Sequence, residues 1–151
     1  MAGSIGEASS RRRWMAILAR ASQTSLETLL ADVPPLPPHR LLRRPEFGLV
    51  MVRGRAGGDG APFNLGEMTV TRCSVQLAAG QIGHAYSIGR DLRQAELAAL
   101  CDAALQDPAY TADLLTRVVE PLAEAQAAER RAVAAKAAAT RVDFLSMQTM
   151  R

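Results

Sequence analysis

The chain has 151 residues, enough for one domain, and a chain of that length buries about 70% of its extended-chain surface. Apolar residues make up 48% but aromatic ones only 4%, so large core side chains are scarce and a thin domain that borrows burial from a partner is expected. A net charge of +3 with scattered basic residues argues against a dedicated nucleic-acid binder, and no apolar run is long enough to span a bilayer.

Residues 1–10 are small and polar and read as disordered, with Ser9 or Ser10 as a helix N-cap. They hold no apolar leader core, and Cys73 and Cys101 are the only cysteines, so the chain reads as cytoplasmic with both thiols reduced. Two cysteines and two histidines this far apart do not make a zinc site, and both thiols read as small packed groups. Residues 11–32 form a helical arm. Trp14, Ile17, Leu18 and Ala21 fall on one stripe, and the lone tryptophan is expected to anchor the arm, with a partner interface as its use. Thr24 to Glu27 has the form of a capping box opening a second short helix through Leu26, Leu29 and Leu30. The basic clusters, Arg11–Arg13 and Arg40/Arg43/Arg44, read as solvated faces or as contacts for an acidic partner.

Residues 33–46 are a proline-rich connector, Pro34-Pro-Leu-Pro-Pro38, stiff and extended. Residues 47–107 are the core, a β-β-β-α unit. Its first strand, Gly48 to Arg53, is apolar on both sides as a central strand would be. The glycine-rich AGGDGAP turn has no following Lys and Ser/Thr and opens no helix, so a hairpin loop is favoured over a phosphate nest. In the second strand Thr71, Cys73, Val75 and Leu77 alternate with Arg72, Ser74 and Gln76. In the third, Gly83, Ala85 and Ser87 make a small face for close packing, opposite Ile82, His84, Tyr86 and Ile88. Asp91 caps the following helix with Gln94 reaching back, and Leu97, Leu100, Cys101, Ala104 and Leu105 point inward until Asp107-Pro108 ends it.

Residues 108–151 form a helical C-terminal arm. Pro121 kinks or restarts it, and the alanine-rich run to Ala139 is strong helix former with few core side chains. Arg141, Val142, Asp143 and Phe144 form an apolar hook with alternating charges, expected to dock on a neighbouring subunit, with folding back on its own sheet as the alternative. The fold class is therefore α+β: a small antiparallel sheet of three or four strands, N-terminal helices and a long C-terminal helix. No catalytic triad, paired carboxylates, metal spacing or nucleotide loop is present in the sequence. Three polar residues stand out as candidate site residues: Arg72, His84, which more simply is a hydrogen-bonded structural residue, and Arg90, which can bind an anion or pair with a carboxylate.

Dispersed motifs in this order carry a resemblance. They are Arg11 to Met15, FGLVMVRGRAGGDG at Phe47–Gly60, FNLGEMTVTRCSVQL at Phe63–Leu77, GRD at Gly89–Asp91 and TRVDF at Thr140–Phe144. The chain resembles the PhnG family, subunits of the bacterial carbon–phosphorus lyase system for phosphonate breakdown. The resemblance implies a core complex with PhnH, PhnI and PhnJ, joined by PhnL, that exchanges the adenine of ATP for a phosphonate. It implies ATP as a substrate of the complex, no cofactor bound by this subunit, and nucleosidase chemistry that belongs to PhnI. It supplies no catalytic residue for the motifs quoted. An assembly subunit, a contributor to a shared site and a nucleic-acid-binding module remain as readings, in that order.

Overall fold

The structure is a computed structural model that describes residues 3–57 and 59–140. Three antiparallel strands in the order β1-β2-β3 form one sheet: β1 His39–Gly54, β2 Phe63–Leu77 and β3 Ile82–Ile88. The α+β expectation holds, with one correction. The central strand is β2, and β1 is an edge strand longer than Gly48 to Arg53, because the end of the connector joins it. Pro45 is tolerated there because β1 is an edge and its register slips on both sides of Arg43. The expected hairpin joins β1 to β2, with Gly57 at φ 66. A tighter one joins β2 to β3, where Gly80 takes φ 101 and its N–H donates to the Leu77 carbonyl at 2.9 Å.

Alternation in β2 buries Thr71, Cys73, Val75 and Leu77 on the face that carries helix α3, Leu92–Ala104. On β3 the small face does what its residues allow. A Cβ on Gly83 would lie 2.5 Å from the Ala103 nitrogen and 2.8 Å from the Ala103 Cβ, so only glycine lets α3 settle this close. The helix is buried nearly all round because other helices cover its outer side. Asp91 caps it, accepting from the Gln94 N–H at 2.9 Å. Gln94 does not reach back, however. Its amide bridges the Ser87 hydroxyl and the Leu18 carbonyl, tying α3 to the sheet and to the first helix.

That first helix, α1, spans Gly3–Leu18 and so begins inside the segment read as disordered. Once Trp14, Ile17 and Leu18 dock, extending the helix upstream adds one hydrogen bond per residue fixed and needs no new nucleus. Helix α2, Gln23–Ala31, is capped two residues before the start of the expected box. Ser22 is its cap, accepting from the Ser25 N–H at 3.1 Å, and Leu26 is wholly buried.

After α3, Asp107 caps α4, Pro108–Leu114. A π-helical turn, Leu115–Val119, then leads into α5, Glu120–Ala139. Pro121 explains the wide turn. A proline has no N–H to donate and would crowd the carbonyl four residues back, and the π turn opens the ladder just there. Val118, Val119 and Leu122 close the core, and beyond Ala128 the helix is exposed through Thr140. The hook residues Arg141, Val142, Asp143 and Phe144 lie outside the described residues. Full burial of side chains such as Leu18, Leu26, Val75 and Leu114 contributes roughly 1.5–3 kcal/mol each.

Candidate functional site

The face of the sheet away from α3 carries a row of polar cross-strand pairs. Arg72 on β2 lies opposite Glu46 on β1 and Tyr86 on β3, donating to Glu46 Oε1 at 2.9 Å and to the Tyr86 hydroxyl at 3.4 Å. Both contacts, the tyrosine first, raise the guanidinium pKa above its ordinary value, so Arg72 is a fixed cation and not a proton shuttle. One step along, Ser74 and His84 face each other with Oγ and Nδ1 2.9 Å apart. Next to them Arg40 donates to Gln76 Oε1. Each pair is a cross-strand match of the kind that stabilises sheets generally.

Arg72 and His84 thus share one face, but Arg90 does not join them. Its guanidinium carbon sits 5.5 Å from the centre of the Phe47 ring, a cation–π contact in place of the expected carboxylate. Phe47 pairs with Thr71, so it belongs to the opposite, helix-side face. The three residues do not converge on a common point. His84 and Tyr86 border a hollow of about 200 Å³, but its other walls, including Met15, Leu18 and Ala98, are apolar.

The strongest polar centre is one the sequence reading passed over. Asp102 is wholly buried in α3, and its carboxylate accepts four hydrogen bonds. Oδ1 takes Trp14 Nε1 at 2.8 Å and Arg11 Nε at 3.1 Å, while Oδ2 takes Arg11 Nη2 at 2.8 Å and the His84 backbone N–H at 2.9 Å. An aspartate inside the otherwise apolar run LAALCDAAL was the available signal. Trp14, 8% exposed, anchors its helix within the chain through this clasp. Arg13 makes a bidentate pair with Glu120, both bonds at 2.9 Å. Two of the three arginines in the first basic cluster are therefore spent on internal carboxylates.

Neither thiol is a nucleophile. Burial first, and nearby carboxylates second, push Cys73 up to about 11 and Cys101 up to about 12. Among the described residues no group of three or more His, Cys, Asp or Glu is placed to hold a metal ion. No helix among them is long and apolar enough to cross a membrane.

What the surface offers instead is exposed apolar area. Past the end of β3, β1 and β2 run on as a two-stranded ribbon that carries Leu49, Met51, Phe63 and Leu65, with Phe47 at its base and with Leu49 63% and Leu65 61% exposed.

The family model for the phosphonate metabolism protein PhnG matches residues 9–150. The chain belongs to the PhnG family. It is also 44% identical over 137 residues to the alpha-D-ribose 1-methylphosphonate 5-triphosphate synthase subunit PhnG of Rhizobium meliloti (strain 1021), covering 91% of this chain and 87% of that one. In the PhnG fold seen here, the stretches that carried the resemblance take in the second half of β1, Phe47–Gly54, and the whole of the central strand, Phe63–Leu77.

Proposed function

We propose that this chain is a non-catalytic core subunit of the cytoplasmic carbon–phosphorus lyase assembly, supporting transfer of a phosphonate onto the ribose of ATP with release of adenine. One observation carries the reading: a relative 44% identical over 91% of this chain is named a subunit of the corresponding triphosphate synthase. The geometry supports a role without catalysis. Arg72, His84 and Arg90 are held in pairs within the chain and do not converge, and both thiols stay protonated near neutral pH. The partners in this reading are PhnI, PhnH and PhnJ, with PhnL joining them. ATP is a substrate of the assembly, and this subunit binds no cofactor of its own.

The isolated chain, given ATP and methylphosphonate, should release no adenine, and the co-expressed assembly should release it only when this chain is included. Adenine release by the isolated chain, or an undiminished rate without it, overturns the reading. The row Glu46–Arg72–Tyr86 with Ser74–His84 favours a second reading, in which the open face lends polar groups to a site completed by a partner. Under the first reading His84→Ala in the assembly loses at most a few-fold in rate. A loss of several orders of magnitude with the assembly intact would move His84 into that shared site.

A further inference from the structure

The ribbon has an open inner edge as well as bare side chains. Strand β3 stops at Ile88, opposite Val70, and the Gly89 N–H donates the last bond on that side, to the Thr69 carbonyl at 2.9 Å. Strand β2 continues back to Phe63, paired among the described residues with β1 alone. Backbone groups alternate sides along a strand, so those of Glu67 point the same way as those of Thr69, into the vacant position beyond β3. The notch is walled by apolar groups. On the open face Ile88 is 73% exposed at the end of β3; on the helix-side face Leu92 begins α3, and one strand over on β1 lie the exposed Leu49 and Met51.

Unsatisfied edges beside apolar surface are what native sheets ordinarily guard against. The outer edge of β1 has such guards, Pro45 with a register slip on each side of Arg43 and the charges of Arg40, Arg43, Arg44 and Glu46. The inner edge of β2 from Phe63 to Met68 has no proline, lysine or arginine, and Glu67 is its one charged residue. Toward the ribbon tip, Arg53 and Arg55 are exposed, and no carboxylate among the described residues pairs with them.

We propose that the vacant position is a docking site for one extended segment of another subunit of the assembly, added as a strand beside β2 at Phe63–Met68. This rests on the subunit reading above. The chemistry that fits is an extended segment apolar on both faces, one face covering Ile88 and the other Leu92 and the Leu49–Met51 row. A carboxylate at the end nearer the tip would meet Arg53 and Arg55. Main-chain bonds to the open edge supply affinity and the apolar wall supplies selection, as in strand addition elsewhere.

The test is co-expression with PhnI, PhnH and PhnJ, followed by co-purification and size-exclusion chromatography. Glu67→Pro removes an N–H that faces the vacancy and leaves the β1 pairing bonds in place. Leu49→Glu/Met51→Glu places charge on the apolar wall. Each should cut recovery of the assembly at least ten-fold while the free variant keeps the wild-type circular dichroism and melting temperature. Amide exchange at Glu67 of the wild-type chain should slow at least ten-fold on assembly, a readout that needs no variant to fold. Normal assembly by both variants, or unchanged exchange, overturns the proposal and leaves the subunit reading standing. Failure of the wild-type chain to assemble overturns both. Two results assign the notch to another occupant and also overturn it. One is exchange at Glu67 in the free chain that speeds up on removing residues 141–151. The other is a dimer of the free chain that Glu67→Pro dissociates.

Discussion

Asp102 decides how the N-terminal helix is held. Its four hydrogen bonds join α1, α3 and β3 through a single carboxylate, and Arg11 supplies the compensating charge. Removing one member of a buried pair costs about 3–5 kcal/mol, and the lower end applies here because the Arg11 side chain is 34% exposed. Asp102→Ala is therefore expected to lower unfolding stability by about 3 kcal/mol in a urea titration, and Trp14→Phe by roughly 1 kcal/mol through one lost bond. A midpoint unmoved by Asp102→Ala would mean that the clasp contributes nothing net. The thiols give a pH prediction of defined sign. An unfolded cysteine loses its proton near its ordinary value of 9.0, whereas the folded chain holds it to about 11 at Cys73 and about 12 at Cys101. Above pH 9 the native state binds more protons than the unfolded state, so stability falls as pH rises toward 11, on the order of 1 kcal/mol per pH unit per thiol. In the Cys73→Ala/Cys101→Ala variant that contribution to the slope should vanish. Rapid labelling of either thiol in the native chain at pH 8 would contradict the burial on which this rests.

The contact between α3 and the sheet depends on small residues at their meeting point. Gly83→Val should destabilise the chain by about 1–3 kcal/mol or more, since the added atoms meet helix backbone, which cannot swing aside. Gly48→Ala, with open space around it, should change stability by well under 1 kcal/mol, and the contrast between the two melting curves is the measurement. The close approach was legible in advance, because a strand reading Gly-x-Ala-x-Ser on one side has only one use in a packed sheet. The Asp91 cap and the buried face of β2 were equally readable, being local patterns with periods of a few residues. The rank of the strands was not. Leu49, Val50, Met51 and Val52 look like a central strand because they are apolar on both sides, yet they lie on an edge that overhangs the helix. Periodicity records which side chains avoid water in the working protein and is silent on whether the covering surface belongs to the same chain. The Asp102 clasp was hidden for another reason: its partners lie 88 and 91 positions away, beyond any local pattern.

At the scale of the whole molecule, one end is finished and the other is not. The helices enclose a core from Trp14 to Leu122, while the ribbon and its base leave Leu49, Met51, Leu65 and Phe47 in water. A contiguous apolar surface of this kind favours self-association when nothing covers it. Expressed alone, the chain should be poorly soluble or partly folded, and co-expression with its partner subunits should raise the soluble yield several-fold. A monodisperse, cooperatively melting monomer would contradict this. The clasp adds a constraint in time. Trp14 and Arg11 cannot reach Asp102 until the ribosome has made the 88 to 91 positions that separate them, which at roughly 5–20 residues per second takes about 5–20 s. Throughout that interval the clasp cannot close, and Trp14, Ile17 and Leu18 lack the third helix that helps bury them in the finished chain.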